Sequence, residues 1–189
     1  MERGDNKISL TFDVAWENSN TQELIDILDE YNARATFFVT GDWCDRYAED
    51  VKQFADAGHE IQNHSDFHPH VKGMNVNELI TDTKSASQKI RDITGKEPTL
   101  YRAPYGEYDD TVMTTVEGMG LKVIQWDVDS LDWKEPDIAY SNIDYICYST
   151  PHSAAYEMLD EETQNNSVSY PGNDYLDVKS PRKSTRCQL

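Results

Sequence analysis

The feature that most constrains this chain is an alternation. Short apolar runs recur along residues 7–127, and amphipathic stretches of helical period separate them. Residues 7–13 place Ile8, Leu10 and Phe12 on one face of a strand. Thr21 can cap a helix over 22–32 whose stripe is Leu24, Ile27, Leu28 and Tyr31. Residues 33–40 contain ATFFV, which suits a strand buried on both faces. A helix over 43–57 turns Tyr47, Val51, Phe54 and Ala55 inward and stops at Gly58. A brief third strand spans 60–63. Asn77 then opens a long helix whose stripe is Leu79, Ile80, Thr83, Ala86, Ile90 and Ile93, ending at Gly95. A strand over 98–103, a helix over 109–118 and a strand over 121–127 complete the series. Strand and helix repeat about five times, which implies parallel strands joined by right-handed crossovers. Two architectures satisfy that pattern, a doubly wound sheet and a closed barrel, and in both the ligand lies outside the C-terminal ends of the strands.

The polar residues fall where that rule puts chemistry. Asp13 ends the first strand, His64 follows the third, Arg102 ends the fourth, and Asp127 and Asp129 follow the fifth. In HSDFH, His64 and His68 stand four apart and can share one metal ion. Alone, H-x-x-x-H reads more simply as two surface histidines; its place after a strand, beside the strand that ends in Asp13, favours the metal. His59 and His70 lie off the spacing and read as surface residues. A divalent ion on two imidazoles and one or two acids keeps open positions, where it can polarise a carbonyl and activate water. Asp13 is the candidate base, against the plainer reading of a strand-end carboxylate capping a turn. RAPYG supplies Arg102, able to orient a carboxylate, and a stiff Pro104–Tyr105 turn whose N–H can face an oxyanion. DSLDW supplies Asp129, Asp132 and Trp133, which suit a sugar-binding rim, or else a core tryptophan beside a turn acid.

Bulk properties exclude several classes. The chain has 189 residues, enough for one ordinary domain, and a formal net charge of -18. Such acidity argues against nucleic acid and anionic lipid as partners; it suits neutral or cationic ligands, or is simply a solvated acidic surface. No run approaches the ~18 apolar residues of a membrane span. The chain opens MERGDNKISLTF, without a signal peptide, so it is expected to be cytosolic or to lack an upstream export segment. Cys44, Cys147 and Cys187 have neither metal nor redox spacing and read as ordinary thiols. Past Pro136 the pattern changes. Residues 139–178 contain no lysine or arginine and no sustained period, and 150–189 read as poorly structured.

Taken together and in this order, TFD, HSxxH, RxPYG and DSxDW resemble the motif series of the polysaccharide deacetylases, the NodB-homology domains of carbohydrate esterase family 4. The stretches LIDILDEYNARATFFVTGDW, AGHEIQNHSDFHPH and DITGKEPTLYRAPYGEYDD carry the same likeness, and TFDVAW is most similar to the sporulation-associated branch. The resemblance implies an α/β fold, a distorted (β/α) barrel incomplete at its C-terminal end. It implies a truncated deacetylase domain over residues 6–138, followed by a divergent segment over 139–189. The implied reaction is metal-dependent hydrolysis of N-acetyl groups on the amino sugars of peptidoglycan, chitin or a related glycan. On this likeness Asp13 is the base, Arg102 its buttress and Asp132 a further catalytic acid. His64 and His68 hold a divalent metal, expected to be Zn2+. Tyr105 offers its N–H to the oxyanion and Trp133 lines the acetyl pocket. The expected partner is an N-acetylated polysaccharide, and the expected location the cell envelope or the extracellular space.

Two departures from the family pattern qualify the expectation. A second aspartate, a metal ligand in most members, is replaced by Val14, which weakens the metal site and leaves Asp66 or Glu17 to complete it. The late Leu-x-His that would protonate the leaving amine is not found, and His152 lies in an unrelated context. The alternative is therefore a relative that binds glycan without turnover. A different metal hydrolase on a related scaffold ranks last, because it leaves RAPYG and DSLDW unexplained.

Overall fold

A computed structural model describes residues 9–127, 129 and 130. Asp132, Trp133, Cys147, His152, Cys187 and the whole 139–189 segment lie outside the described residues. The chain divides into two compact units, one comprising Leu10–Asp26 with Ala35–Gln125, the other Met1–Ser9, Ile27–Arg34 and Trp126–Leu189. In the second unit Arg34 pairs with Asp29 at 3.2 Å, and the Ala33 N–H bonds Leu28 O at 2.7 Å.

The first unit is built on a parallel sheet of β1 (Thr11–Val14), β2 (Thr36–Val39), β3 (Glu60–Asn63), β4 (Leu100–Tyr101) and β5 (Lys122–Val123). The strands lie side by side in sequence order, β1-β2-β3-β4-β5. A doubly wound sheet reverses its strand order at a switch point. No reversal occurs here, so the barrel alternative applies: these strands form an arc of a distorted (β/α) barrel that does not close among the described residues. The helices are α1 (Thr21–Glu30), of which Thr21–Asp26 belongs to this unit, α2 (Gly41–Arg46), α3 (Ala48–Asp56), α4 (Val76–Thr94) and α5 (Asp110–Gly118).

β2 is buried along its length, and Phe37 stacks on Phe12 at 5.1 Å and on Phe54 of α3 at 4.0 Å. Burying one such ring contributes roughly 1.5–3 kcal/mol, which sets the register of β1, β2 and α3 together. A second cluster packs α4 and α5 against β4 through Val71, Leu79, Tyr101, Ala103, Val112, Val116 and Leu121. Three helices, α2, α4 and α5, begin at side-chain caps: Thr40 Oγ1 accepts the Trp43 N–H, Asn75 Oδ1 that of Asn77, and Asp109 Oδ1 that of Val112. α4 ends at Gly95, whose φ of +73° is the left-handed cap that glycine adopts at little steric penalty.

Three sequence expectations change. The single helix over 43–57 is two, broken at Tyr47 (φ -134°, ψ 45°), with Trp43 and Cys44 buried in the first. Of the expected α1 stripe, Leu28 is buried and Leu24 half-buried, but Ile27 and Tyr31 are exposed, and Thr21 and Ile25 take their place on the buried face. His59 is not a surface residue. The chain turns straight from the end of α3 into β3, which buries the ring edge-on against Phe37, and its Nδ1 accepts the Ala35 N–H at 3.3 Å.

Candidate active site

The site grows from the C-terminal ends of β1, β3 and β4. Asp13 lies beside Phe38 of β2 in the parallel register. Its side chain is about one-third exposed, and Oδ1 accepts from Arg102 Nη1 at 2.8 Å. Arg102 follows β4 and is buried. The same Nη1 donates to Thr11 Oγ1 at 2.8 Å, and the guanidinium lies 4.1 Å from the centroid of the Phe38 ring. Its planar group is thus fixed by an aromatic face on one side and oxygens at its tip. Asp13 Oδ2 is left 3.8 Å from His64 Nε2, too far for a hydrogen bond but wide enough for a small group to approach both.

His64 is fully buried, and its Nδ1 lies 2.8 Å from Arg102 O. A carbonyl only accepts, so Nδ1 carries the hydrogen and the neutral ring presents a lone pair at Nε2. Burial pushes the His64 pKa below the usual histidine range, against the pull of Asp13. His68 is half-buried with its ring centroid 4.9 Å from that of His64. Burial, then the neighbouring His64, lowers its pKa to about 4. Both imidazoles are therefore neutral near pH 7.

The turn between them is backbone-strained. Ser65 and His68 have φ of +69° and +54°, values that non-glycine residues rarely take. Polar contacts hold it. The Ser65 N–H donates to Asn63 Oδ1 at 2.8 Å, Ser65 Oγ accepts the His68 N–H at 3.0 Å, and Ser65 O accepts the Gly41 N–H at 3.0 Å. Asn63 in turn donates to Thr83 O and Ser87 Oγ of α4, both at 2.8 Å. Asp66 is buried; its N–H bonds Asp82 Oδ2 at 3.0 Å and its Oδ1 accepts from Lys89 Nζ at 2.7 Å.

A metal here would find two imidazoles in the neutral, ligating form, one oriented by its bond to a backbone carbonyl, which is how protein metal sites fix a histidine. His64 and His68 therefore fit such an ion in part. The expected completion by Asp66 does not occur, because Lys89 holds that carboxylate. Glu17 is exposed, and its backbone O accepts from Trp43 Nε1 at 3.3 Å. Among the described residues no three His, Cys, Asp or Glu side chains come together as a metal-binding group.

Of the residues singled out in the sequence, Asp13, His64, His68, Arg102 and Tyr105 come together. The Tyr105 ring is 4.5 Å from that of His68, on a residue whose φ is +59°. Asp127 and Asp129 belong to the other unit. Sequence reasoning missed Thr11, Asn63 and Ser65 as supports, although each abuts or sits inside a motif. It also passed over His70 as a contact of Tyr105, whose ring it stacks on at 4.2 Å while pairing with Glu107 at 2.9 Å.

A parallel α/β sheet in sequential strand order thus gathers an arginine-held acid and two histidines at the rim where such barrels bind their ligands. The comparisons give the family. The profile described as Polysaccharide deacetylase matches residues 1–124, and the chain belongs to that family. It is 34% identical over 128 residues to the peptidoglycan-N-acetylmuramic acid deacetylase PdaA of Bacillus subtilis, covering 67% of this chain and 49% of that protein. The crystal structure of BA3943, a CE4 family pseudoenzyme from Bacillus anthracis, aligns with a TM-score of 0.70 at 28% identity, over 74% of this chain and 50% of that one. A family 4 carbohydrate esterase from Streptomyces lividans, in complex with acetate, aligns with a TM-score of 0.66 at 31% identity, over 73% and 72% of the two chains. The chain spans about half the length of the curated relatives it matches.

Proposed function

We propose that this chain hydrolyses N-acetyl groups from the amino sugars of an envelope or extracellular polysaccharide of peptidoglycan or chitin type. One observation carries the reading: Arg102 grips Asp13 Oδ1 at 2.8 Å while Oδ2 faces His64 Nε2 at 3.8 Å. That leaves a single acceptor oxygen free, directed by a fixed cation. In the reaction Asp13 takes one proton from water as the oxygen attacks the amide carbonyl, and the C–N bond breaks to give acetate and the sugar amine. The proton held on Asp13 is then available to the departing nitrogen. General base catalysis of this kind is worth ~10²–10⁴-fold.

Arg102 orients the base, and the Tyr105 N–H and the rim bind the acetamido oxygen. His64 and His68 would hold a divalent ion, Zn2+ by the chemistry of its donors, which supplies Lewis-acid polarisation of the carbonyl when bound. Val14, where a further carboxylate would stand, weakens that hold. By the family resemblance alone, Asp132 is proposed as a further catalytic acid and Trp133 as a contact of the acetyl group; both lie outside the described residues. We take residues 6–138 as the deacetylase domain and 139–189 as a distinct segment. The naming of PdaA as a peptidoglycan deacetylase supports the substrate class and the envelope location, and the sporulation-type branch rests on the likeness of TFDVAW. Among the described residues no helix is long and apolar enough to cross a membrane.

Acetate release from N-acetylglucosamine oligomers tests the reading. The native chain is expected to release acetate and D13N to lose at least ~100-fold of that rate; equal rates for both would refute the role of Asp13. A second reading, glycan binding without turnover, draws support from Val14 and from the pseudoenzyme among the structural relatives. Retention of the oligomers with no acetate from the native chain would select it.

A further inference from the structure

Trp16 is 61% exposed, a large apolar surface to leave in water, yet it is not loosely held. Arg46 Nη2 donates to Ala15 O at 2.8 Å and its Nη1 to Trp16 O at 2.9 Å. Asp42 fixes that guanidinium through Nε at 2.8 Å, and Trp43 Nε1 takes the next carbonyl, Glu17 O, at 3.3 Å. Three successive carbonyls after β1 are thus bonded by side chains of α2. The clamp holds Trp16, three residues past Asp13, where its indole and the His68 ring meet at 61°, their centroids 5.0 Å apart. Tyr105, 54% exposed, reaches the same imidazole at 4.5 Å and carries His70 stacked on it. A line of four rings, Trp16, His68, Tyr105 and His70, therefore runs along the rim, with its two largest members open to solvent.

We infer that Trp16 is a stacking platform for a sugar ring adjoining the unit whose acetamido group meets Asp13, and that it sets a preference for oligomers over single sugars. An equatorially substituted pyranose has a face made only of C–H bonds, and the negative face of an indole attracts those polarised hydrogens while removing apolar area from water. The clamp matters because a pre-set ring loses little freedom on binding. The occupant is a neutral N-acetylated glycan rather than a polyanionic one, because the chain carries a net charge of -18. This inference rests on the reading of the site as a glycan hydrolase, and it gives a role to Trp16, the last residue of the TFDVAW stretch.

Calorimetric titration of the full chain with N-acetylglucosamine and with its tetramer tests it. The native chain is expected to bind the tetramer at least about tenfold more tightly than the monomer, as an aromatic anchor would give. W16A is expected to lose that preference, W16L to lose most of it, and W16F, which keeps a flat ring, to keep part. The side chain is exposed, so the variants should fold, and W16F guards against a mere folding defect. The inference is overturned if W16A and W16L bind the tetramer within about twofold of the native chain, or if the native chain shows no length preference. The hydrolase reading fails separately: Trp16-dependent tetramer binding with no acetate release keeps the platform and refutes turnover. Acetate release with unaltered tetramer binding by W16A does the reverse.

Discussion

Removing the ammonium of Lys89 isolates the contribution of the support under the histidine turn. Lys89 Nζ lies 2.7 Å from both Asp66 Oδ1 and Asp45 Oδ2. The two legs differ in solvent. The Asp45 side chain is 59% exposed and the Asp66 side chain 6%. The exposed leg is worth ~0–1 kcal/mol. The other leg, once broken, leaves a carboxylate in a nearly dry site, which for a fully buried pair costs about 3–5 kcal/mol. Lys89 itself keeps about a quarter of its exposure, so we scale the expected loss for Lys89→Met to about 2–3 kcal/mol. The loss for Asp45→Asn should stay under about 0.5 kcal/mol. Asp66→Asn combined with Lys89→Met should recover about half the deficit, because the stranded charge is gone. Urea unfolding followed by tryptophan fluorescence reads this as a midpoint shift of about 1 M for Lys89→Met. A Lys89→Met midpoint indistinguishable from native, or an Asp45→Asn loss as large, would show that the Asp66 leg is not the one that carries the energy.

Three further outcomes follow from the geometry. Val14→Asp supplies a carboxylate beside Asp13 and should raise zinc affinity at least about tenfold by calorimetry, while lowering the metal-free stability by about 1–2 kcal/mol. The folded-state pKa of His68 is near 4, against about 6.5 unfolded. The unfolded chain therefore binds the proton first, and stability, complete above pH 6.5, falls as the pH drops towards 4. Discounted for a half-exposed ring, the loss is about 1–2 kcal/mol, read as the urea midpoint at pH 7 against pH 4.5, and His68→Gln should remove that part of the slope. Gly41→Ala places a methyl group onto Asp66 Oδ1, 2.9 Å from Asp66 Cγ and 3.1 Å from Lys89 Cδ, and should lower the thermal midpoint, with a loss of about 1–3 kcal/mol.

What the sequence disclosed depended on range. β2 and β3 were readable because four consecutive buried positions, or a glycine followed by a short alternating run, mark themselves locally. The break at Tyr47 was not, since no glycine or proline announces it and the apolar spacing continues across it. Ile27 and Tyr31 misled because an apolar residue near a stripe looks like a member of it, and only packing selects the face. Asp13, His64 and Arg102 could be placed together without coordinates because each occupies a strand end and the topology brings strand ends to one rim. The contacts that fix them could not. Asp66 and Lys89 are 23 positions apart and Trp16 and Arg46 30, and both arginine and lysine otherwise resemble surface charges.

Arg102 serves the acid with its side chain and the imidazole with its own carbonyl. Both side chains are thus tied to one and the same residue. A drift of the β4 end would carry Asp13 and His64 along in step rather than pull them apart, so the gap between them is insulated from small deformations of the surrounding arc. Substituting the guanidinium would release one partner while the other stayed moored.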